Sequence, residues 1–171
     1  SAHSPAGGRI FNGINQIEKF LIIIASLALF VIIVFFILGY RSNSGEAYGL
    51  IEGRLKQCPD KPNCVSSEVL SDAEHYIAPL VYSADQATQV LPRLKTIIGE
   101  MGGSVQLEKT DYLAATFTSS LFRFVDDLEL RIDSGQHTIH LRSASRVGHG
   151  DLGVNRKRVE QLKNSFQVQT D

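Results

Sequence analysis

The chain has 171 residues, with 17 Lys and Arg against 18 Asp and Glu, which gives a formal net charge of −1 at pH 7. This balance argues against a nucleic-acid partner, because such partners are bound through a clear excess of basic side chains. No local cluster of Lys and Arg stands out along the sequence to supply one. The length suits one soluble domain with a single core, preceded by a short N-terminal segment.

The N-terminal segment contains an uncharged run over residues 20–38 that consists of Leu, Ile, Val and Phe apart from Ala25, Ser26 and Ala28. As a helix, this run would reach about 28 Å, which is close to the thickness of a bilayer core. A core helix of a soluble domain would carry a polar stripe, and a cleaved signal peptide has a shorter apolar region. The run therefore predicts one retained transmembrane helix, with the lipid bilayer as its partner.

This helix organises the rest of the chain. We predict an N-terminal tail with an interfacial helix start near Ile10 (1–19), the transmembrane helix (20–40), a linker (41–54), a soluble domain (55–167) and a tail (168–171). Basic residues flank the apolar run on both sides, so the positive-inside comparison leaves the membrane orientation open.

The first half of the soluble part contains one predicted strand and one predicted helix. Residues 75–82 are rich in β-branched and aromatic side chains but include Pro79, which is typical of an edge strand. Apolar side chains then recur at spacings of three and four after Ser83 and Gln86, a pair with capping-box spacing. We predict one helix ending at the glycines at 102 and 103, kinked at Pro92.

The second half changes to a period of two. Alternation over residues 104–146 predicts four short antiparallel strands, and a final amphipathic helix is expected from about residue 155 to 166. The fold class is therefore α+β, with a mainly antiparallel sheet of four to five strands. Two helices are expected to cover one face of this sheet, and the other face is mostly polar.

Cys58 and Cys64 are the only cysteines, and two prolines lie in the short loop between them. A disulfide is possible at this spacing, would make the loop rigid, and would fit an oxidising compartment. A metal site would need further soft ligands, and no histidine lies at a recognisable zinc spacing, so no metal is predicted. Free, packed thiols are the third alternative.

A second group of polar residues combines an acidic pair at the start of the third strand with an arginine-rich segment. Alternation places Asp126 on the same face as Leu128, so its carboxylate would point at the core and need a partner. Arg142 and Arg146 on the next strand are the nearest candidates, which predicts a structural ion pair.

The alternative is a pocket for an anionic ligand or an interaction partner, supported by the start of the last helix. Its candidate residues are Asp126, Arg142, Ser143, Ser145, Arg146, Asp151, Asn155 and Arg156. Asp151 is equally suited to cap a helix or a turn. The nearby glycines match no phosphate-binding or dinucleotide fingerprint, so no cofactor is predicted. Ser143, Ser145, His149 and Asp151 include the residue types of a triad, but closeness in one loop does not predict its geometry, and we predict no catalytic residues.

Two stretches carry a resemblance to a known family. The first is Cys-Pro-x-x-Pro-Asn-Cys-Val-Ser-Ser at 58–67, and the second is Phe-Val-Asp-Asp at 124–127 followed by Arg-Ser-Ala-Ser-Arg-Val-Gly-x-x-Asp-Leu-Gly-Val-Asn-Arg-x-Arg at 142–158. In these motifs the chain resembles the domain-of-unknown-function family 1499, over roughly residues 55–166. The resemblance implies a common domain and surface rather than a reaction. His149 occupies a variable position of the second motif, which argues against a catalytic role.

Two main hypotheses of function follow, and a simple membrane-tethered domain with no partner is a third alternative. The first is a non-catalytic accessory or scaffold subunit of a larger membrane protein complex, with other membrane protein subunits as partners. The second is a membrane-tethered domain that binds, or acts as an enzyme on, an anionic ligand in the pocket. If the cysteines are bridged, the domain faces the oxidising side of a bacterial inner membrane or the lumenal side of an organelle membrane.

Overall fold

The structure is a computed structural model that describes residues 15–168, and the chain divides into two compact units between Phe35 and Phe36. In chain order the elements are α1 (Gln16–Asn43), β1 (Leu50–Ile51), β2 (Arg54–Leu55), β3 (Cys64–Ser66), β4 (Leu80–Val81), a 3-10 helix (Ala84–Gln89), α2 (Val90–Glu100), β5 (Ser104–Glu108), β6 (Tyr112–Thr118), β7 (Val125–Asp133), β8 (Thr138–Ser145) and α3 (Val154–Val168). The predicted α+β class is confirmed.

Helix α1 is long and apolar enough to cross a membrane, with a mean hydropathy of 3.4 over its most apolar window. A reciprocal capping pair fixes its start: the Asn15 N–H donates to the Glu18 carboxylate at 3.0 Å, and the Glu18 N–H donates to Asn15 Oδ1 at 2.8 Å. The first unit contains α1 up to Phe35, and the last turns of α1 belong to the second unit. The predicted interfacial start near Ile10 and the end of the predicted tail, residues 169–171, lie outside the described residues.

The second unit is built on a six-stranded sheet with the order β3-β8-β7-β6-β5, and β4 also pairs with β8. All of these strand pairings are antiparallel. The sheet is larger than the four to five strands predicted. Strand β4 lies within the edge strand predicted at 75–82, although only Leu80 and Val81 form it. Strand β3 is the addition, because its three residues are too few to generate a pattern with a period of two.

One face of the sheet packs on α2 and α3 and forms the main core. The fully buried members include Leu94, Ile97, Leu113, Leu128, Leu130, Ile139, Leu141, Val159 and Leu162. The prediction of one kinked helix over 83–101 is wrong, because a 3-10 helix covers residues 84–89 before α2 begins. Pro92 therefore lies in the first turn of α2, where its missing N–H breaks no helical hydrogen bond.

The opposite face is covered as well, which the prediction of a mostly polar second face did not anticipate. Residues 44–57, largely within the predicted linker, lie over it and include the β1–β2 hairpin. The two-residue turn of this hairpin has positive φ at both Glu52 and Gly53, as a type I′ turn requires. A small apolar cluster of Leu55, Tyr112 and Ala114 attaches the segment to the sheet.

Candidate functional site

The two sequence motifs meet at Asn63, the residue before the second cysteine. Its side-chain amide donates to the Gly148 carbonyl at 3.0 Å, and its own carbonyl accepts the Ser145 N–H at 3.0 Å. Cys58 and Cys64 form a disulfide, which confirms the first of the three alternatives for this pair. Strand β3 pairs with β8 directly after the bridge. The cysteine loop (residues 58–64) is therefore attached to the end of β8.

His75 supports the cysteine loop from a neighbouring segment. Its Nε2 lies 3.0 Å from the Lys61 carbonyl, and its Nδ1 lies 2.8 Å from the Asp72 carboxylate. Burial disfavours the charged ring, but the hydrogen bonds to Asp72 and Lys61 outweigh this effect and raise the pKa of His75 above its ordinary value. A protonated ring can donate to both partners at once, so His75 links the loop to Asp72.

Asn155, at the start of α3, is the centre of a polar network on the helix-covered face of the sheet. It is 1% exposed, and its amide nitrogen lies within hydrogen-bonding distance of the Asn63 carbonyl, Ser145 Oγ and Asp151 Oδ2, at 2.7–3.0 Å. The Ser143 hydroxyl donates to Asn155 Oδ1 at 2.6 Å. The Asp151 carboxylate also accepts the Asn155 N–H at 2.8 Å, so it caps α3.

Asp126 joins this network through a residue that the sequence analysis did not select. It lies on the same face of the sheet as Leu128, as the alternation predicts, but its partner is Arg158 of α3, at 2.7 Å. The expectation that Arg142 or Arg146 would pair with Asp126 is wrong. Asp126 lies opposite Ser145 in the register, so Arg142 and Arg146, an odd number of residues from Ser145, lie on the other face.

The second face carries its own ion pairs, and the most buried one joins Arg142 to Glu129 at 2.8 Å. Both side chains are at most 2% exposed. The Tyr112 hydroxyl donates to the same carboxylate at 2.7 Å, and the Gly49 N–H donates to it at 2.9 Å. Burial, together with the Glu129 carboxylate, raises the pKa of the Tyr112 phenol well above its ordinary value. This hydroxyl is therefore held neutral, as a hydrogen-bond donor.

Two further pairs extend the row of charges along this face. Arg146 makes a two-pronged contact with Asp127, at 2.9 and 2.7 Å, and also donates to the Ser42 carbonyl at 3.1 Å. Arg131 pairs with Glu68 at 2.8 Å. Burial opposes ionisation of Glu68, but the hydrogen bonds from Arg131 and the Leu55 N–H outweigh it and lower the pKa of this carboxyl.

The last two turns of α1 are part of this second face. Ser42 is 1% exposed, its hydroxyl accepts the Val125 N–H at 3.0 Å, and its carbonyl accepts from Arg146. Gly39 packs so closely on β6–β7 that an added Cβ would lie 1.7 Å from the Phe122 carbonyl oxygen. Helix α1 therefore ends inside the domain rather than in a free linker.

The predicted pocket residues thus fall into separate groups. One network on the helix-covered face joins Asp126, Ser143, Ser145, Asp151 and Asn155, and a separate set of ion pairs on the second face holds Arg142 and Arg146. Arg156 belongs to neither, because its guanidinium donates to the backbone carbonyls of Glu74 and Tyr76 at 2.8 and 3.0 Å. The three arginines therefore do not converge on one point.

A cavity of about 840 Å³ opens on the second face, between the β1–β2 segment, the cysteine loop and β8. Arg142 and Arg146 line it together with three further basic side chains, Arg54, Lys56 and Lys61. Carboxylates are present too: Glu46, Glu52, Glu68 and Asp127. The Tyr48 ring contacts two cations, with Lys56 Nζ at 3.4 Å and the Arg142 guanidinium at 5.2 Å from the ring centre. Among residues 15–168, no group of three or more His, Cys, Asp and Glu side chains could hold a metal ion.

Several residues of these networks escaped the sequence analysis. Asp127 and Glu129 alternate with Leu128 and Leu130, and Arg142 follows the same pattern on β8, so the alternation contained the signal for the charged face. Ser42 had no such signal, because its role depends on where the helix end docks.

Comparison with known proteins places most of the soluble domain in a family. Neither the curated proteins nor the solved structures contain a significant relative. Residues 54–166, which include the disulfide, the whole six-stranded sheet and nearly all of α3, match the family described as "Protein of unknown function (DUF1499)". The match covers most of the chain, and this chain belongs to the DUF1499 family.

Proposed function

We propose that this protein is a membrane-anchored accessory subunit, in which α1 is retained as a single transmembrane helix and the domain docks on a neighbouring membrane protein. The disulfide supports a domain on the oxidising side of that membrane, since such bonds persist outside reducing compartments.

The observation that carries the proposal is the position of Ser42. The buried Val125 N–H donates to its hydroxyl at 3.0 Å, and Arg146 donates to its carbonyl. Cleavage beyond Ser42 would remove both acceptors, and a buried donor without a partner costs about 1–3 kcal/mol. Because Ser42 lies in the last turn of α1, four residues after the apolar run, these contacts favour a mature protein that keeps the helix as its anchor.

The same contacts favour an accessory role over a loose tether. A domain that only needs to remain near a membrane can hang on a flexible linker. Here Gly39 and Ser42 seat the end of α1 against the β6–β7 region of the domain. Such a junction suits a subunit that must present one surface to a fixed neighbour.

The glycine loop (residues 148–153) is the surface we assign to that neighbour. Leu152 is 96% exposed and has a φ of 56°, a left-handed conformation that a leucine rarely adopts. Asn63 holds the loop at Gly148, and Asp151 accepts the Gly153 N–H at 2.9 Å. The strained backbone and the anchored ends keep an apolar side chain pointing into solvent, next to the half-exposed Val154.

The test is the size of the assembly that mild detergent extracts from native membranes. We expect the protein to migrate in a complex much larger than one chain with its micelle, and a monodisperse monomer would contradict the proposal. Leu152→Arg should release the protein from the complex. Leu70→Arg, at an exposed leucine outside the glycine loop (77% exposed), is the matched control and should leave the complex intact.

A second candidate function is anion binding in the 840 Å³ cavity. The specific support is Arg142 Nε, which is buried and has no hydrogen-bond partner among the described residues. Titration with inorganic phosphate, followed by thermal unfolding, would test it. Binding should weaken in Lys56→Gln, whose side chain lines the cavity, and remain in Lys157→Gln, which lies outside it. Failure of phosphate to stabilise the unaltered protein would rule out this candidate for phosphate.

A further inference from the structure

We propose that the β6–β7 loop, residues 119–124, is a second membrane contact, with Leu121 inserted where hydrocarbon meets headgroups beside the end of α1. The inference rests on the proposed function in one respect, namely that α1 spans the bilayer. It adds that the soluble domain itself touches lipid, through a loop whose position the fold determines.

The β6–β7 loop packs against the end of α1. The Phe122 ring lies 5.3 Å from the Phe36 ring, edge to face, and the Phe122 carbonyl lies against Gly39. The next carbonyl, that of Arg123, accepts from the Asn43 side chain at 3.3 Å. The loop thus follows the last two turns of α1 closely.

These contacts lie where the apolar run of α1 ends. Phe36 lies inside the apolar run of residues 20–38, and Gly39 is the first residue after it. Because a helix rises about 1.5 Å per residue, the two positions differ by roughly 4.5 Å along the axis. A loop that contacts both is therefore level with the end of the apolar run, which is where the hydrocarbon core ends.

The side chains exposed at this depth, on the loop and the helix end, are apolar, aromatic and basic. Leu121 occupies the turn and is 66% exposed. Arg123 in the loop and Arg41 at the helix end are also exposed, and Tyr40 is 78% exposed. Aromatic rings and basic side chains favour the interface, where a cation can reach the phosphate headgroups while its stem remains in apolar surroundings. This composition fits a lipid interface better than open water.

Hydrogen bonds between the two ends of the loop hold it in shape. The Ser119 N–H donates to the Phe124 carbonyl at 2.8 Å, and the Phe124 N–H donates to the Ser119 hydroxyl at 2.9 Å. Arg123 has a φ of 60°, in the left-handed region. The closed loop therefore presents Leu121 at its tip without an ordering step when it meets the membrane.

Tryptophan fluorescence tests the inference directly, because the chain contains no tryptophan of its own. Three single variants of the full chain are reconstituted in phosphatidylcholine vesicles: Leu121→Trp in the loop, Phe30→Trp in the apolar run, and Val81→Trp at an exposed strand position. The lipids are brominated either near the headgroup end of the acyl chains or near their termini, since bromine quenches only nearby indole.

We expect Leu121→Trp to lose most of its emission in the vesicles brominated near the headgroups, with a blue-shifted spectrum. Val81→Trp should be quenched in neither kind of vesicle. Quenching of Phe30→Trp without quenching of Leu121→Trp would overturn the loop contact and leave the anchor in place. A blue-shifted but unquenched Leu121→Trp would indicate a protein neighbour and also overturn it. If neither Phe30→Trp nor Leu121→Trp is quenched, both the membrane anchor and the loop contact are overturned.

Discussion

The two faces of the sheet use the same strands for different purposes. On β7 and β8, Leu128, Leu130 and Leu141 point at α2 and α3 and exclude water almost completely. Residues that alternate with these leucines along the two strands lie on the opposite face and form the pairs Arg142–Glu129 and Arg146–Asp127. The first face contributes stability through apolar burial. The second face joins the domain to the end of α1 and to the segment that follows it.

The comparison shows what buried charge does in this fold. Moving two charges out of water costs more than their attraction returns unless the geometry is very good, so such pairs are poor sources of net stability. Their geometry is directional, however, and Arg146 contacts both Asp127 and the Ser42 carbonyl. The charged face therefore specifies where the helix end sits, while the apolar face keeps the sheet folded.

Breaking the most buried pair should have the largest effect. Arg142→Met leaves the fully buried Glu129 without its cation, and we expect a loss of about 3–5 kcal/mol in the free energy of unfolding. Replacing both residues, Arg142→Met with Glu129→Gln, should recover most of that loss, because the amide removes the unpaired charge and still offers an acceptor to the Tyr112 hydroxyl. Urea unfolding of the detergent-solubilised protein measures both. Equal losses in the single and double variants would contradict a specifying role for this face.

The same experiment on the apolar face should give the opposite pattern. Leu141→Ala, one residue away on β8, should cost about 2–5 kcal/mol through lost burial and an unfilled cavity. Leu141→Asn, which replaces the leucine by a polar residue of similar size, should lower the free energy of unfolding at least as much as Leu141→Ala. A clearly smaller loss for Leu141→Asn would mean that the two faces do not differ as described.

Reduction of the disulfide should have an intermediate effect. The bridge lowers the conformational entropy of the unfolded chain. Because the loop between Cys58 and Cys64 is short, the resulting stabilisation of the folded state is about 2 kcal/mol. Cys58→Ser with Cys64→Ser should lower the free energy of unfolding by that amount and weaken the hold of Asn63 on the glycine loop. Hydrogen exchange at the Gly148 and Leu152 amides would detect the weakening. Unchanged exchange would separate the two motifs that the structure joins.

A pair of helical glycines tests the junction at Gly39. Gly39→Ala should destabilise the domain by about 1–3 kcal/mol, because the new Cβ collides with the Phe122 carbonyl and the backbone must move. Gly99→Ala in α2 is the matched control, since nothing lies within 4 Å of its added Cβ. There the loss of glycine's flexibility should stabilise the protein by about 0.5–1 kcal/mol. Thermal unfolding compares them, and equal shifts would mean that the helix end is not docked.

Two histidines should give the smallest effect, with opposite signs in adjacent pH ranges. The pKa of His75 is raised, so the stability it contributes is complete below 6.5 and is lost as pH rises through the folded pKa. Burial lowers the pKa of His140, so stability rises with pH in the range just below 6.5. Together they predict a local maximum near pH 6.5. His75→Gln should remove the decline above it, and His140→Gln the rise below it; an unchanged profile in either variant would contradict the assignment.

Much of this fold could be predicted because long elements repeat their pattern many times. The apolar run of α1, the alternation in β6 to β8 and the stripe of α3 each extend over several repeats. The short strand β3 offers too few residues for any period to emerge, and the predicted edge strand at 75–82 is reduced to Leu80–Val81, directly after Pro79. Pro92 was predicted as a kink, but it lies in the first turn of α2, which begins at Val90.

The candidate site was predictable only in part. The acidic pair and the arginine-rich segment identified the right strands, and alternation gave the face of Asp126. Its partner, Arg158, comes from α3, and contacts between a strand and a helix are not encoded in a strand's own periodicity. No sequence pattern predicts the contacts of Ser42, because they depend on how the end of α1 docks. Its partner Val125 is 83 residues away in the sequence.

The mass of the mature protein, measured intact after alkaline carbonate washing of native membranes, tests the central claim that α1 is retained and built into the domain. We expect the washed membranes to keep the protein and its mass to include the whole of α1, Gln16–Asn43. A carbonate-released chain that begins after Asn43 would contradict the account.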